Sequence, residues 1–521
     1  MGRKVLAAKS GRAACSCAAA GGGIAAKNAK SAKSFSTGLT GFTGLREVSV
    51  KPAKTKPSGV AWIGDILDGW EVGKLGSLYT QRNEKVSDKV YPPLSVTMKG
   101  IVPQLATAAK SDDGDNRKLV RKGDFAINSR SDRRGSCGIS EFDGSVSLIN
   151  TILTPRGKMN PVYYNWLFHT EAFADEFYKW GHGIVDDLWT TRWSEMKRMA
   201  IVVPPLPVQR AIAAYLDEKC GTIDAAVAEA KKGIEEYKAW KKSLIFEVVT
   251  GKLRVGVFNA EKQSGREFST GLTRFTGLGE NLDNPVNPVK TKPSGVSWIG
   301  DVPEGWKVRR LKSIFEYRKG LSITKADLTQ TGIPVISYGQ IHSKENTGTH
   351  LQDSLLRFVP LKYLESDGNC LLKEDDFVFA DTSEDLEGLG NCVYVDRQDK
   401  IFAGYHTIIF RPYGHYRGEV KFRYLAYLFK TDVWRSQFRA KAFGIKVYSL
   451  SQRLLNDCCL ILPPLPVQRA IAAYLDEKCA AIDKMVAEKE ALIADLEAYK
   501  KSLIYEIVTG KREVASNSMV K

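Results

Sequence analysis

PPLPVQRAIAAYLDEKC, residues 204–220, returns letter for letter at 463–479. Each copy runs on into an amphipathic stretch that closes on Thr-Gly-Lys: GTIDAAVAEAKKGIEEYKAWKKSLIFEVVTGK after the first, AAIDKMVAEKEALIADLEAYKKSLIYEIVTGK after the second. Pro207 suits a first helical position, where the amide it lacks has no partner anyway, so a helix is expected from near Val208. Apolar residues then recur every three or four positions: Ile212, Leu216, Cys220, Ile223, Val227, Ala230, Ile234, Tyr237, Trp240, Leu244 and Val248. The second copy repeats the seam with Ile471, Leu475, Cys479, Ile482, Val486, Ile493, Leu496, Tyr499, Leu503 and Ile507. Such spacing places one apolar stripe on a helix, and Gly251 and Gly510 stand where a left-handed residue would end it. A rod of roughly 64 Å cannot bury its seam alone. The second copy is the natural partner, and connectivity makes the pair antiparallel with a globular body at each end.

Working outward, FSTGLTGFTGL at 35–45 is echoed by FSTGLTRFTGL at 268–278, and TKPSGVAWIGDILDGW from Thr55 by TKPSGVSWIGDVPEGW from Thr291. The chain is one unit written twice: linker, body, long helix. The entrance and exit of each unit match, whereas residues 80–195 and 316–455 scarcely align. One architecture carries two different surfaces. A recent duplication of the shared parts would also leave that pattern. The expected organisation is a disordered basic tail (1–54), a body (55–203), a helical spacer (204–255), a linker (256–290), a second body (291–462), a second spacer (463–514) and a short tail (515–521). The expected fold class is α/β (α+β): two mixed bodies joined by two long antiparallel helices with internal pseudo-two-fold symmetry. In the bodies, LVRKGDFAINS, GSVSLINTILTP, LLKEDDFVFAD, NCVYVD and IFAGYHTIIFRP read as strands with their turns. Residues 163–180 and 422–443 each read as a helix.

At 521 residues the chain exceeds one typical core, and no apolar run is long enough to span a membrane. The nine cysteines are scattered without a CxxC pair, which fits a reducing cytoplasm. The formal charge of +17 suggests nucleic acid, but its location matters. Residues 1–57 hold eleven Lys or Arg against one acid, while residues 58–203 hold 19 basic against 18 acidic groups and residues 292–462 hold 24 against 20. Any basic footprint on the bodies must therefore be local.

Catalytic motifs do not emerge. There is no phosphate loop, no Gly-rich cofactor turn, no Asn/Asp-Pro-Pro-aromatic motif of amino-methyltransferases and no histidine ligand spacing. His169 and His182 read as structural histidines. Asp112, Asp113 and Asp115, and Glu374, Asp375 and Asp376, read as solvated turns. Neither a catalytic residue nor a metal or cofactor site is expected in this chain. Local basic patches are present, however. Arg117, Lys118, Arg121, Lys122, Arg130, Arg133 and Arg134 surround a Gly-Ser-rich loop, and Arg417, Lys421, Arg423, Lys430, Arg435, Arg439, Lys441, Lys446 and Arg453 alternate with aromatic residues. Cations with amide and hydroxyl neighbours on loops suit phosphate positioning and base-edge readout. A solvated charged face reads the same way.

The doubled order, with a G-V-x-W-I-G-D…G-W entrance and a P-P-L-P-x-Q…I-A-x-x-L-D…I-D exit helix, resembles the specificity subunits of type I restriction-modification systems. The resemblance covers about residues 55–514. Val208 and Val467 depart from it, since the family pattern often has Glu before the glutamine. It implies a non-catalytic adaptor whose two target-recognition domains each read half of a split, asymmetric site in double-stranded DNA. The implied partners are two copies of an adenine-N6 methyltransferase subunit and restriction/translocase subunits, with S-adenosylmethionine, ATP and Mg carried by those partners and no role for a membrane. The rod would set the half-site separation at about one helical turn of DNA, roughly 34 to 36 Å. Expected DNA contacts are Lys122, Arg130, Arg133 and Arg134 in the first body and Arg439, Lys441, Lys446 and Tyr448 in the second. Gln209, Arg210, Gln468 and Arg469 are the expected methyltransferase contacts, with capping or intramolecular roles explaining them equally well. A scaffold without DNA recognition, or an enzyme with an unrecognised site, stays open on the residues alone.

Overall fold

The computed structural model describes residues 54–104, 114–130, 134–183, 189–253, 255, 290–439 and 447–514. The expectations for the basic tail, the linker and residues 515–521 lie outside them, Lys54, Val255 and Lys290 excepted. The chain divides into two compact units, residues up to Gly221 together with Lys500 onward, and Thr222–Tyr499.

In the first unit, strands Tyr79–Arg82, Asn150–Pro155, Phe125–Asn128 and Cys137–Ile139 form one antiparallel sheet in that spatial order. In the second unit, Phe315–Lys319, Thr407–Pro412, Phe377–Ala380 and Cys392–Tyr394 form the same sheet in the same order. The entrance also repeats: Thr55–Pro57 pairs with Asp65–Leu67, as Thr291–Pro293 does with Asp301–Pro303. So does the exit, where Glu71–Lys74 pairs with Ala200–Val203 and Lys307–Arg310 with Cys459–Leu462. Both central strands, FAIN and FVFA, are buried throughout. They therefore read as short apolar runs without alternation.

The helices expected over 163–180 and 422–443 are each broken in two. Pro161–Phe168 gives way to Glu171–Lys179, and Phe422–Leu428 to Asp432–Arg439. The break has one cause in both. Thr170 donates to the Leu167 carbonyl (2.7 Å) and accepts from the Phe173 amide (3.2 Å), while Thr431 donates to the Leu428 carbonyl (2.6 Å). Each threonine thus ends one helix and caps the next. Behind these helices lie aromatic cores. Phe168 sits 4.6 Å from both Phe125 and Phe173, and Phe429 packs 4.9 Å from Phe377 and 4.6 Å from Trp434, centroid to centroid.

The long helices run Leu206–Val249 and Leu465–Val508, starting two residues before the expected Val208 with Pro207 and Pro466 in the first turn. Within the second unit they are antiparallel: Lys231 meets Glu497 at 3.5 Å, and Lys241 meets Asp483 at 2.6 Å. The seam of the first helix is buried from Ile212 to Ile234 and again at Leu244 and Val248. Tyr237 is only half-buried, beneath the Lys489 ammonium, and Trp240 is 41% exposed. Two helices without a third layer cannot enclose every seam residue, and cationic side chains cover the remainder.

The acidic run at 374–376 is not a solvated turn. Asp376 is fully buried and holds Arg411 (2.6 Å), Asp375 accepts from the Tyr394 hydroxyl (2.8 Å), and Glu374 accepts from Gln398 (2.7 Å). Asp376 also accepts from the Lys373 amide (2.8 Å), as Asp124 does from the Arg121 amide (2.9 Å) and from Arg82 (2.7 Å). The same aspartate turn thus opens the central strand in both bodies, with its arginine drawn from different strands. Arg411 is 6% exposed, so removing its counter-charge leaves a buried cation. Asp376→Ala is expected to cost about 3 to 5 kcal/mol, read as a fall in the urea midpoint, and Asp376→Leu combined with Arg411→Met is expected to recover most of it.

Candidate nucleic-acid interface

In the first body, Lys122 is exposed in the turn between strands Arg117–Val120 and Phe125–Asn128, its amide held by Asp143 (2.8 Å). Arg130 is exposed just past the central strand, where it bridges Thr190. Arg134 pairs with Asp175, and its guanidinium lies 4.8 Å from the centroid of Tyr178. Tyr178 in turn stacks on Trp189 at 5.6 Å. Arg130, Arg134, Tyr178 and Trp189 thus line one small cavity of about 20 Å³ with Asn128 and Ser129. It combines a cationic rim with an aromatic wall, the composition that stacks on bases and holds phosphates. Arg133 lies outside the described residues.

The rest of the first patch turns inward. Arg117 is buried and donates to the Ser145 hydroxyl (2.8 Å) and carbonyl (3.0 Å), and Lys118 donates to the Asn150 carbonyl (2.7 Å). Charge clustering along the sequence did not separate these from their exposed neighbours, because Arg117 and Lys118 lie on a paired strand whereas Lys122 and Arg130 lie beyond the strand ends.

The second patch is engaged to a greater degree. Arg423 pairs with Asp476 (2.7 Å) and Arg417 donates to the Glu374 carbonyl (3.2 Å). Arg439 donates to the Leu386 carbonyl (3.0 Å) and Asp432 (3.3 Å). Lys441 and Lys446 lie outside the described residues. Tyr448, half-buried, is in a two-residue strand paired with Thr382–Ser383. Beside it the structure assembles a cluster that the sequence reading passed over. Tyr338 packs 5.6 Å from Tyr405 and 5.4 Å from His406. The Asp381 carbonyl accepts a hydrogen bond from the Leu450 amide (2.7 Å), and its carboxylate faces His406 at 3.3 Å. His406 has φ +54°, a conformation uncommon outside glycine that marks functional turns. The local signal, a histidine in the tight turn GYHT, is too weak to single out without the fold.

At the helix starts, Gln209 and Gln468 are buried. Gln209 accepts from the Asn160 amide (2.9 Å) and donates to the Pro204 carbonyl (2.8 Å); Gln468 does the same with the Lys421 amide and the Pro463 carbonyl, both at 2.8 Å. The glutamines are interior staples joining each body to its own helix, the intramolecular role expected for them as the alternative to a partner contact. Arg210 and Arg469 stay exposed. Two turns on, Asp217 accepts from Trp166 (2.9 Å), whereas its counterpart Asp476 accepts from Tyr427 (2.6 Å) and Arg423.

Residues 303–493 match the family model for the type I restriction modification DNA specificity domain. The chain is similar to that family across its second body and much of the helix Leu465–Val508. It is 22% identical over 221 residues to the type I restriction enzyme MjaVIII specificity subunit of Methanocaldococcus jannaschii, covering 42% of this chain and 49% of that one. It is 25% identical over 223 residues to the MjaX specificity subunit of the same organism, which is itself described as putative, covering 40% and 47%. The matches span about half the length of these curated relatives. A chain in a solved structure described as concerning complex assembly and conformational transition of the type I R-M system shares the fold, with a TM-score of 0.58 and 14% identity over 85% of this chain and 98% of that one. Among the described residues, no helix is long and apolar enough to cross a membrane, and no group of three His, Cys, Asp or Glu is placed to hold a metal.

Gln468→Ala would leave a buried amide and carbonyl unpaired. It is expected to cost about 1 to 3 kcal/mol, seen as a lowered Tm. Arg469→Ala should change Tm little, because that side chain is on the surface.

Proposed function

We propose that the chain is the DNA sequence-specificity subunit of a type I restriction-modification complex, reading a split and asymmetric site in double-stranded DNA. The observation that carries this is the contrast between framework and surface. Both bodies share one strand order, one aspartate turn and one glutamine staple. Their outer ends differ: an Arg130, Arg134, Tyr178 and Trp189 cavity in one, a Tyr338, Tyr405, His406 and Tyr448 group in the other. Two unlike reading surfaces on one frame suit two unlike half-sites.

In this reading the chain is non-catalytic and works in the cytoplasm. Two adenine-N6 methyltransferase subunits dock on the repeated helix starts, where Arg210 and Arg469 face outward, and restriction/translocase subunits join that core. S-adenosylmethionine, ATP and Mg act in those partners. Lys122, Arg130, Arg133, Arg134, Arg439, Lys441, Lys446 and Tyr448 remain the proposed DNA contacts, joined by Trp189, Tyr338 and His406. A scaffold without sequence recognition draws support from the engaged cations of the second patch.

Methylation mapping separates the two. With the partner methyltransferase, N6-methyladenine is expected at one split asymmetric sequence only when this chain is present; unchanged methylation from an assembled complex favours the scaffold. Arg130→Ala in that complex is expected to weaken DNA binding. A uniform loss across sequences with the salt slope reduced by about one marks a phosphate contact, and a loss of about 1 to 3 kcal/mol confined to one base position marks base readout.

A further inference from the structure

A cavity of about 60 Å³ opens in the second body among Ser343, Asn346, Thr347, Asn391, Lys430 and Arg435, with no carboxylate in its lining. Lys430 gives one hydrogen bond, to the Thr347 carbonyl, out of the three an ammonium can donate. Arg435 is held by the Glu387 carbonyl (2.6 Å) and the Asn391 side chain (2.8 Å), while its Nε is buried without a hydrogen-bond partner. Carbonyls orient these cations; the Asp432 and Glu387 carboxylates act on Arg435 from outside the cavity, and no carboxylate acts on Lys430.

The neighbouring acids are committed elsewhere. Asp432 meets Lys242 at 2.9 Å and Arg439 at 3.3 Å, and Asp483 meets Lys241 at 2.6 Å. The groups felt at Lys430 are Lys241, Arg435 and the Cys392 and Cys479 thiols. Burial, reinforced by Lys241, pushes the Lys430 pKa down to about 8, and burial lowers that of Arg435. Two poorly solvated cations facing one void are costly unless something negative shares it.

We infer that this cavity binds a small tetrahedral oxyanion of the phosphate class, held by Lys430 and Arg435 with the Ser343 and Thr347 hydroxyls alongside. The site shares no lining residue with the Tyr338, Tyr405 and His406 group, with His342 between Asn391 and Tyr338, and it does not depend on the function proposed above. Free phosphate and a phosphate of a DNA strand present the same chemistry, and one experiment distinguishes them.

The full-length wild-type chain is dialysed to equilibrium against radiolabelled orthophosphate near neutral pH, with ionic strength held constant by chloride. Saturable binding of one phosphate per chain is expected, weakened at least about tenfold, or 1.4 kcal/mol, in Lys430→Met and in Arg435→Leu. Affinity is expected to fall as pH rises beyond 8, as the ammonium loses its proton. In phosphate-free buffer Lys430→Met is expected to keep or raise Tm, because it removes a buried charge, whereas a purely structural lysine would lower it. Displacement of phosphate by duplex DNA assigns the site to a backbone phosphate, and retention beside DNA assigns it to the free anion; both support the site. Absence of saturable binding to the wild-type chain, or unchanged binding in both variants, overturns it.

Discussion

Each body is closed by the end of the helix that belongs to the other repeat. In the first unit the Tyr163 hydroxyl donates to the Val508 carbonyl (2.7 Å), Lys511 donates to the Ile63 carbonyl (2.7 Å), and Gly510 lies against Trp70. In the second unit Tyr424 donates to the Val249 carbonyl (3.1 Å), and Gly251 lies against Pro303 and Trp306. These carbonyls belong to the last helical turn, which has no intrahelical donor left, and the two tyrosines supply one from inside a core. The glycines have φ +72° and +75°, and a Cβ on either would strike the ring beside it. Helix termination and body closure are therefore one contact, made twice.

That contact explains why so much identity is concentrated in the entrance and exit segments. The tryptophan, the glycine and the helix-start glutamine must all keep their geometry for a body to close. The ends of the sheets carry no such obligation. A cationic and aromatic cavity and an aromatic and histidine group can therefore stand on the same frame.

The duplicated order, the long helices and their direction, the mixed class and most strands were legible because they rest on periodicity and on two near-identical segments. Pro207, the apolar seam and Gly251 mark the first helix, and their counterparts mark the second. Of the candidate site, Lys122 and Arg130 were legible as exposed cations in turn-rich sequence. Arg117, Lys118, Lys430 and Arg435 carry the same charge in the same kind of run, yet they point inward and bond to carbonyls or hydroxyls. Charge alone does not say on which side of a strand or helix it falls.

The sequence by itself determined that one unit is written twice and that its helices pair antiparallel, because the seam has a period and the connectivity leaves one direction. Only the tertiary structure decided which polar residues are spent inside. Gln209 and Gln468 became staples because the helix start is covered by its own body, and Asp376 became a buried anchor because Arg411 lies on the strand beside it. Tyr338, Tyr405 and His406 meet across loops about seventy residues apart, a proximity that no local pattern encodes and that sheet pairing alone creates.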